Sequence, residues 1–297
     1  MPLDRYDGAI DTRMQTPREL SFSSLSMHGF HRVAYREWGD HDNTHVVVCV
    51  HGLTRNARDF DELATVLAPT FRVICPDMPG RGESEWLRDP TDYNTATYLT
   101  VLAAMLAHAH AEKVSWVGTS MGGLLGMVMA AQPGTPIERF VINDIGPVIE
   151  PAALARIASY VGLDPPFDTF AALEAHVRAV SAPFGPLSDA QWESLSRSVA
   201  RQMPDGQWRL KYDPGIAVPF RTTTAQPANL WPVWDAVRCP TLLLRGAESD
   251  LLSSATAMAM QERGPRPALI EFAGIGHAPM MLSADQIEPV VRFLQTT

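Results

Sequence analysis

Three shortages in this sequence each exclude a class of protein, and the first is a shortage of cysteine. Among 297 residues there are three cysteines, Cys49, Cys75 and Cys239. Their number is odd and no two have the spacing of metal ligands, so we expect neither a disulfide framework nor a cysteine metal site. Two of them lie in apolar, strand-like runs. Buried free thiols in a reducing compartment are the simplest interpretation, and we therefore expect a cytoplasmic protein.

The sequence also lacks long apolar runs and clusters of basic residues. No run approaches the ~20 residues that span a bilayer, and residues 1–20 mix acids with bases where a signal peptide would be apolar. The net charge is −9 and there is no long Lys/Arg cluster, which argues against nucleic acid and anionic membrane as partners. We expect a small-molecule substrate as the partner, and the oligomeric state stays open.

Apolar residues are plentiful, at 46% against 19% charged residues, which indicates a sizeable packed core. Partly alternating runs in residues 20–39 predict a β-hairpin. Further along, short apolar runs alternate with helical patterns. The predicted strands are His45–Val50, Phe71–Asp77, Val114–Thr119, Arg139–Gly146, Pro240–Gly246 and Ala268–Gly274. This alternation predicts an α/β fold with a doubly wound, mostly parallel sheet and helices on both faces.

The alternation of strands and helices breaks between Pro147 and about Ala236. This stretch contains many prolines, no strong strand and three helical patches. We therefore predict that residues 1–146 and 236–297 form one α/β core. Residues 147–235 are predicted to form a helical lid inserted into that core.

A serine between two glycines follows the predicted strand that ends at Thr119. The stretch WVGTSMGGLLGM (Trp116–Met127) places Ser120 in a G-x-S-x-G pattern between a strand and a helix. At a sharp, strained turn, side chains at Gly118 or Gly122 would collide with the neighbouring strand and helix. The pattern predicts that Ser120 is a nucleophile. The alternative is an ordinary small residue in a bend.

A nucleophilic serine needs a histidine to remove its proton and a carboxylate to orient that histidine. In this strand–turn–helix context the chain order is Ser, then Asp or Glu, then His. Asp250 in RGAESDLL and His277 in GIGHAPM each follow a predicted strand, at the carboxyl edge where α/β sheets place their ligands. We therefore predict a catalytic triad of Ser120, His277 and Asp250, which needs no metal and no organic cofactor.

The charge that develops on a carbonyl oxygen during attack needs two backbone N–H donors. Met121 directly follows the nucleophile, and the second donor is expected from the loop after the strand that ends at Val50. That loop reads HGLTRN, so Leu53 is the predicted second donor. His51, in the same loop, is a rival base, but it precedes the serine in the chain.

These motifs, together with CPDMPGRGES (Cys75–Ser84), resemble the α/β-hydrolase superfamily, in its lid-bearing serine hydrolase branch. The resemblance covers about residues 20–146 and 236–297, and the branch includes esterases and ring-cleavage-product hydrolases. Some members of the family place the acid where Asp144 stands, at the end of the strand before the insertion. Asp250 is preferred here, and Ser84 is interpreted as a turn residue.

Several residues near the predicted site have two interpretations. Aromatic residues of the lid and a methionine near the histidine are predicted to line the substrate pocket, although they could simply attach the lid to the core. These residues are Trp192, Trp208, Trp231 and Met280. Arg55 and Arg58 could bind a substrate carboxylate. The preferred interpretation is that Asn56 caps the next helix and both arginines are solvated.

The sequence thus predicts a serine hydrolase that cleaves a small to medium carboxylic ester through an acyl-enzyme. Hydrolysis of a carbon–carbon bond in a vinylogous diketone is one alternative, and a cationic pocket near the oxyanion loop would favour it. A lactonase and an acyltransferase are further alternatives. An alternative of another class is a non-catalytic small-molecule receptor on the same fold.

Overall fold

A central sheet of eight strands organises the protein in the computed structural model, which describes residues 16–219 and 229–296. The two strands of the predicted hairpin and the six predicted strands form it. They are β1 (Arg18–Ser26), β2 (Gly29–Trp38), β3 (Val46–Val50), β4 (Arg72–Pro76), β5 (Val114–Thr119), β6 (Ile137–Asn143), β9 (Thr241–Gly246) and β10 (Ala268–Phe272). The two remaining strands, β7 (Ala200–Gln202) and β8 (Trp208–Leu210), pair with each other outside this sheet.

The strand order is β1-β2-β4-β3-β5-β6-β9-β10. The hairpin β1–β2 is antiparallel, β2 pairs antiparallel with β4, and all the other pairs are parallel. Every residue of β3 and β4 is buried, as expected for parallel strands that are covered on both faces. The predicted doubly wound, mostly parallel sheet is confirmed.

Helices cover both faces of the sheet, because each parallel connection crosses over it. The helices are α1 (Asp61–Leu67), α2 (Thr95–His108), α3 (Met121–Ala130), α4 (Pro151–Tyr160), α5 (Phe170–Val180), α6 (Asp189–Ser198), α7 (Trp231–Trp234), α8 (Ser254–Glu262) and α9 (Ala284–Gln295). One core contains Trp116, Phe140 and Met105 beneath α2 and α3. A second core, beneath α1 and α9, contains Phe60 and Val290. Within the described ranges, no helix is long and apolar enough to cross a membrane.

The described residues between β6 and β9 contribute no strand to the eight-stranded sheet. This segment holds helices α4 to α7 and the small β7–β8 sheet, and below it is called the inserted segment. The sequence predicts no strong strand here, and β7 and β8 escape prediction because runs of three residues are too short to show an alternation. Residues 220–228 of the predicted lid and residues 1–15 of the predicted core lie outside the described residues.

Candidate active site

Ser120 lies at a sharp turn between β5 and α3. Its backbone has φ 53° and ψ −115°, in the left-handed region that residues with a Cβ seldom adopt. A Cβ at Gly118 would lie 2.3 Å from the carbonyl oxygen of Gly122. A Cβ at Gly122 would lie 1.9 Å from the carbonyl oxygen of Val50. The two glycines of the motif therefore let the strand, turn and helix approach closely enough to present the serine.

The imidazole of His277 bridges Ser120 and Asp144. Its Nε2 lies 2.9 Å from Ser120 Oγ, and its Nδ1 lies 2.7 Å from Asp144 Oδ2. An ionised carboxylate can only accept hydrogen bonds, so Nδ1 carries the proton of the neutral ring and donates it to Asp144. That leaves the lone pair of Nε2 directed at the serine hydroxyl. The structure thus brings two of the three predicted triad residues together.

The prediction that Asp250 orients His277 is wrong. Both carboxylate oxygens of Asp250 accept hydrogen bonds from Arg156 on α4, at 2.6 and 2.8 Å. Burial would raise the pKa of Asp250, but the Arg156 guanidinium outweighs burial and lowers it below the usual value. The physical reason is what each carboxylate contacts: Asp144, at the end of β6, reaches Nδ1 of His277, whereas both oxygens of Asp250 are occupied by Arg156.

The carboxylate of Asp144 is fully buried and is held by three donors. Its Oδ1 accepts the N–H of Gly246 at 3.0 Å. Its Oδ2 accepts the hydroxyl of Ser249 at 2.7 Å, in addition to the ring N–H of His277. Ser249 was missed by the sequence reasoning, because nothing in the string RGAESDLL distinguishes this serine from a loop residue.

Asn143 ties three loops of the site together. Its side-chain amide donates to Thr119 Oγ1 at 3.0 Å and to the carbonyl of Pro279 at 2.7 Å. Its backbone carbonyl accepts the N–H of Ser120 at 3.0 Å. The turn of the nucleophile and the loop of the histidine are thereby fixed to the end of β6.

One predicted oxyanion donor adjoins the serine turn in the chain, and the other belongs to a loop that approaches this turn from β3. Met121 is the first residue of α3, and Leu53 follows β3, whose loop carries Gly52 close to the Cβ of Ser120. The carbonyl of Leu53 accepts a hydrogen bond from Nε of Arg81 at 2.8 Å. Arg81 is only 1% exposed and anchors this loop, a role that the sequence did not reveal. The assignment of both N–H groups to an oxyanion stays a prediction.

His51, the rival base, is a structural residue. Its Nε2 accepts the N–H of Met78 at 2.9 Å, and its Nδ1 lies 2.6 Å from the carbonyl of Gly52. Because the Met78 N–H can only donate, the ring is neutral and carries its proton on Nδ1. Burial lowers the pKa of His51 to about 3, so that the ring stays neutral at ordinary pH. Both nitrogens are occupied in holding the loop after β3.

The side chain of Asp77 organises the turn in CPDMPGRGES. Its carboxylate accepts the N–H groups of Ala57 and Glu83 at 2.7 and 2.8 Å, and burial raises its pKa to about 6. A Cβ at Gly82, where φ is 54°, would lie 2.2 Å from this carboxylate. Ser84 donates its hydroxyl to the carbonyl of Asp77 at 2.6 Å, which confirms that it is a turn residue.

The charge of Arg55 is compensated within the protein. Asn56 accepts the N–H of Arg58 at 3.1 Å and caps the short 3₁₀ helix that begins at Ala57, as predicted. The prediction that both arginines are solvated is wrong for Arg55, which is buried and forms a two-pronged ion pair with Asp59 at 2.6 and 2.9 Å. No free cation is therefore supplied to the site from this position.

The four predicted pocket residues fall into different surroundings. Trp192 and Met280 share a small apolar cluster that joins the inserted segment to the loop of the histidine. Trp208 packs edge-to-face on another ring of the inserted segment, at 5.4 Å between centroids. The guanidinium of Arg263 lies 4.4 Å from the ring centre of Trp231. Their contact with a substrate stays a prediction.

A small cleft opens beside the loop after β3. Thr54 and Arg55 line one side, and Tyr160, His176 and Tyr212 of the inserted segment line the other, around a volume of about 40 Å³. Burial lowers the pKa of His176, which favours its neutral ring. In the part of the chain that the structure covers, no group of three or more His, Cys, Asp or Glu side chains is arranged to hold a metal ion.

Comparisons with known proteins identify the family of this chain. The chain is 42% identical over 286 residues to a 3-hydroxybutyrate-oligomer hydrolase of Cupriavidus necator, covering 94% of this chain and 98% of that protein. It is 27% identical over 227 residues to an esterase of Mycobacterium tuberculosis, covering 73% of this chain and 71% of that protein. A solved alpha/beta hydrolase from Novosphingobium aromaticivorans is 37% identical, with a TM-score of 0.84 over 94% of this chain and 99% of that chain. A sequence profile of the alpha/beta hydrolase family matches residues 47–292. The chain is a hydrolase that belongs to the alpha/beta hydrolase family.

Proposed function

We propose that this hydrolase is a serine esterase whose triad is Ser120, His277 and Asp144. The observation that carries the proposal is the position of the imidazole, which lies within hydrogen-bonding distance of the serine hydroxyl on one side and the buried carboxylate on the other. A base bonded to its nucleophile and oriented by a third group is the arrangement that activates a serine.

In the first half-reaction Ser120 Oγ attacks the ester carbonyl carbon, and its proton passes to Nε2 of His277 across the 2.9 Å contact. Asp144 stabilises the imidazolium that forms, through the bond to Nδ1. The N–H groups of Leu53 and Met121 bind the oxyanion. The tetrahedral intermediate collapses when the imidazolium returns its proton to the leaving alcohol, and the acyl group stays on the serine.

In the second half-reaction water attacks the acyl-enzyme carbonyl. His277 removes a proton from this water through Nε2 and then gives it to Ser120 Oγ as the acyl bond breaks. The products are a carboxylic acid and the free enzyme. No step draws on a group outside the chain, the substrate and water.

Short oligoesters of 3-hydroxybutyrate are the proposed substrates. Support comes from the relative of that name, which is similar along almost the whole chain. The compensation of Arg55 by Asp59 removes the free cation that would have favoured the carbon–carbon bond alternative. We further propose that the inserted segment is the lid, with Trp192 and Met280 at its junction with the core. A cytoplasmic location would fit the buried free thiols of Cys49 and Cys75.

The test is a substrate panel with Ser120→Ala as the variant and Ser23→Ala, an exposed serine on β1, as the matched control. The panel contains dimers and trimers of 3-hydroxybutyrate, short and long p-nitrophenyl esters, a lactone and a ring-cleavage dienone. We expect the oligoesters and short esters to be cleaved by the wild type and the control, and not by Ser120→Ala. Preferential turnover of the dienone or the lactone would reject the esterase assignment. Undiminished activity of Ser120→Ala would reject the nucleophile.

A further inference from the structure

The hydroxyl of Ser249 is a directed hydrogen-bond donor. A serine hydroxyl has one proton to donate and two lone pairs to accept with. The backbone N–H groups of Leu251 and Leu252 both donate to Ser249 Oγ, at 3.2 Å each. The single proton of the hydroxyl is therefore left for Asp144, whose Oδ2 lies 2.7 Å away. Ser249 is itself 8% exposed, so water competes little for this bond.

The bond from Ser249 fixes the rotation of the Asp144 carboxylate. Gly246 N–H holds Oδ1 and the Ser249 hydroxyl holds Oδ2, so the plane of the group is anchored at both oxygens. His277 Nδ1 then meets an oxygen whose position is already determined. Losing a donor leaves more negative charge on Oδ2, and a stronger negative charge stabilises the imidazolium relative to the neutral ring.

We propose that Ser249 is a positioning residue of the triad, which acts through Asp144 to orient His277 and to set the pH at which this histidine becomes a working base. The proposal rests on the proposed esterase function for its kinetic test. The sequence predicts the acid in the loop after β9. That loop instead contributes the Ser249 hydroxyl, which donates a hydrogen bond to Asp144.

Other charged groups also face this part of the site. Asp250, of the same loop, lies close enough to His277 to interact with it electrostatically, but it is paired with Arg156 of α4. Glu248 points at the next loop, where it accepts the N–H of Gly274 at 3.1 Å. The Asp144 carboxylate is bonded to Gly246, Ser249 and His277 and not to Asp250 or Glu248, so removing the Ser249 hydroxyl changes one defined contact.

The test compares Ser249→Ala with Ser249→Thr, which keeps a hydroxyl. Ser253→Ala is the matched control, because this serine of the same loop caps α8 and its bonds go to Thr256. We expect Ser249→Ala to lower kcat about 10- to 100-fold, as for loss of a hydrogen bond to a charged group, with KM little changed. The acid limb of its pH–rate profile should move to higher pH. Ser249→Thr should recover most of the activity, and Ser253→Ala should keep the wild-type profile.

A kcat of Ser249→Ala within twofold of the wild type, with an unmoved acid limb, would overturn the proposal. Equal losses of kcat in Ser249→Ala and Ser249→Thr, with both variants melting at the wild-type temperature, would also overturn the proposal. A change in packing, and not the loss of the hydroxyl, would then explain the lower kcat. An NMR titration of the His277 ring gives a readout that needs no substrate. The midpoint of this titration should rise in Ser249→Ala and stay unchanged in Ser253→Ala. This comparison tests the proposal even if no ester is hydrolysed.

Discussion

At the scale of single residues, the site depends on a carboxylate that no solvent reaches. An ionised group in such a position must be surrounded by donors, and Asp144 receives them from Gly246, Ser249 and His277. Asp250, by contrast, faces a guanidinium at a partly exposed position. The charge of Asp144 therefore acts on the histidine of the site, whereas the charge of Asp250 is paired with an arginine near the surface. Each aspartate nevertheless follows a strand of the same sheet.

Of the substitutions Asp144→Asn and Asp250→Asn, we expect the first to reduce activity far more. The amide is uncharged and cannot stabilise the imidazolium, and its NH2 group can donate to Nδ1 and favour the wrong tautomer, so we expect kcat/KM to fall by about 10³- to 10⁴-fold, as in other triads. Asp250→Asn should stay within about threefold of the wild type, because it alters a surface ion pair. Ester hydrolysis assays on both purified variants check this. A larger loss in Asp250→Asn than in Asp144→Asn would refute the assignment.

His51 should make the fold sensitive to acid. Its pKa is about 3 in the folded protein and about 6.5 in an unfolded chain, so the unfolded state binds the proton more tightly. The stability that His51 contributes is present above about pH 6.5 and is lost as pH falls toward 3. Between pH 7 and pH 4 the loss amounts to roughly 3 kcal/mol at ~1.4 kcal/mol per pH unit.

His51→Gln tests this, because glutamine keeps an acceptor for Met78 N–H but does not titrate. The free energy of unfolding of both proteins, measured by denaturant titration from pH 7 to pH 4, should fall less in the variant. Asp77, whose pKa is raised to about 6, works in the opposite direction below that pH and is common to both proteins. Parallel pH profiles of the wild type and the variant would contradict the expected role of His51.

The limits of the sequence are also visible residue by residue. Ser120 and His277 could be predicted because flanking glycines and strand ends mark them. Asp144 could not be chosen over Asp250, because both follow strands and the choice depends on which carboxylate the histidine reaches in the folded chain. Ser249 and Arg81 act through contacts with residues far away in the chain, and local pattern carries no sign of them.

At the scale of elements, the joint between β5 and α3 is the most crowded part of the site. The helix begins so close to β3 that a methyl group at Gly122 would overlap the carbonyl of Val50, at 1.9 Å. Strand β5 and helix α3 are also held together by a hydrogen bond, because Trp116 donates its indole N–H to the Gly122 carbonyl at 3.1 Å. The partly exposed position of Ser120 thus results from packing.

Gly122→Ala should destabilise the protein by about 1–3 kcal/mol or more, the usual range for overpacking. It should also lower activity at temperatures where the variant is still folded, because the turn must shift. Gly134→Asn is the control: nothing lies within 4 Å of its added Cβ, and asparagine tolerates its positive φ. Thermal unfolding of both variants gives the comparison, and equal melting temperatures would contradict the crowding argument.

Most elements followed from hydrophobic periodicity. Buried runs such as Val46–Val50 and long helices such as Thr95–His108 have patterns that extend over enough residues to be recognised. The strands Ala200–Gln202 and Trp208–Leu210 are too short for any pattern, and they pair only because the inserted segment brings them together.

At the scale of the whole molecule, the inserted segment is joined to the core by contacts of unequal strength. Tyr93 donates its hydroxyl to Asp213 Oδ2 at 2.5 Å and accepts the N–H of Leu87, and all three residues are buried. Arg156 and Asp250 form a partly exposed ion pair across the same boundary. Buried hydrogen bonds to charged groups stabilise more than exposed ion pairs do.

Tyr93→Phe should therefore reduce the free energy of unfolding by about 1–3 kcal/mol, because it leaves a buried carboxylate without its donor. Asp250→Asn should reduce it by less than about 1 kcal/mol, and this loss should shrink further at high salt. Denaturant unfolding at low and high ionic strength distinguishes the two. A greater loss in Asp250→Asn would show that the exposed pair carries the junction.

The location of Asp144 also decides how the chemistry is divided along the polypeptide. The proposed nucleophile and the proposed acid belong to one continuous β5–α3–β6 unit that ends before the inserted segment, and His277 is the one member of the proposed triad beyond it. If the gene were split within the inserted segment, one half would carry a complete serine–carboxylate pair and the other only the base. Reassembly of the two halves would be reported by ester cleavage, even when the second half carries Asp250→Asn.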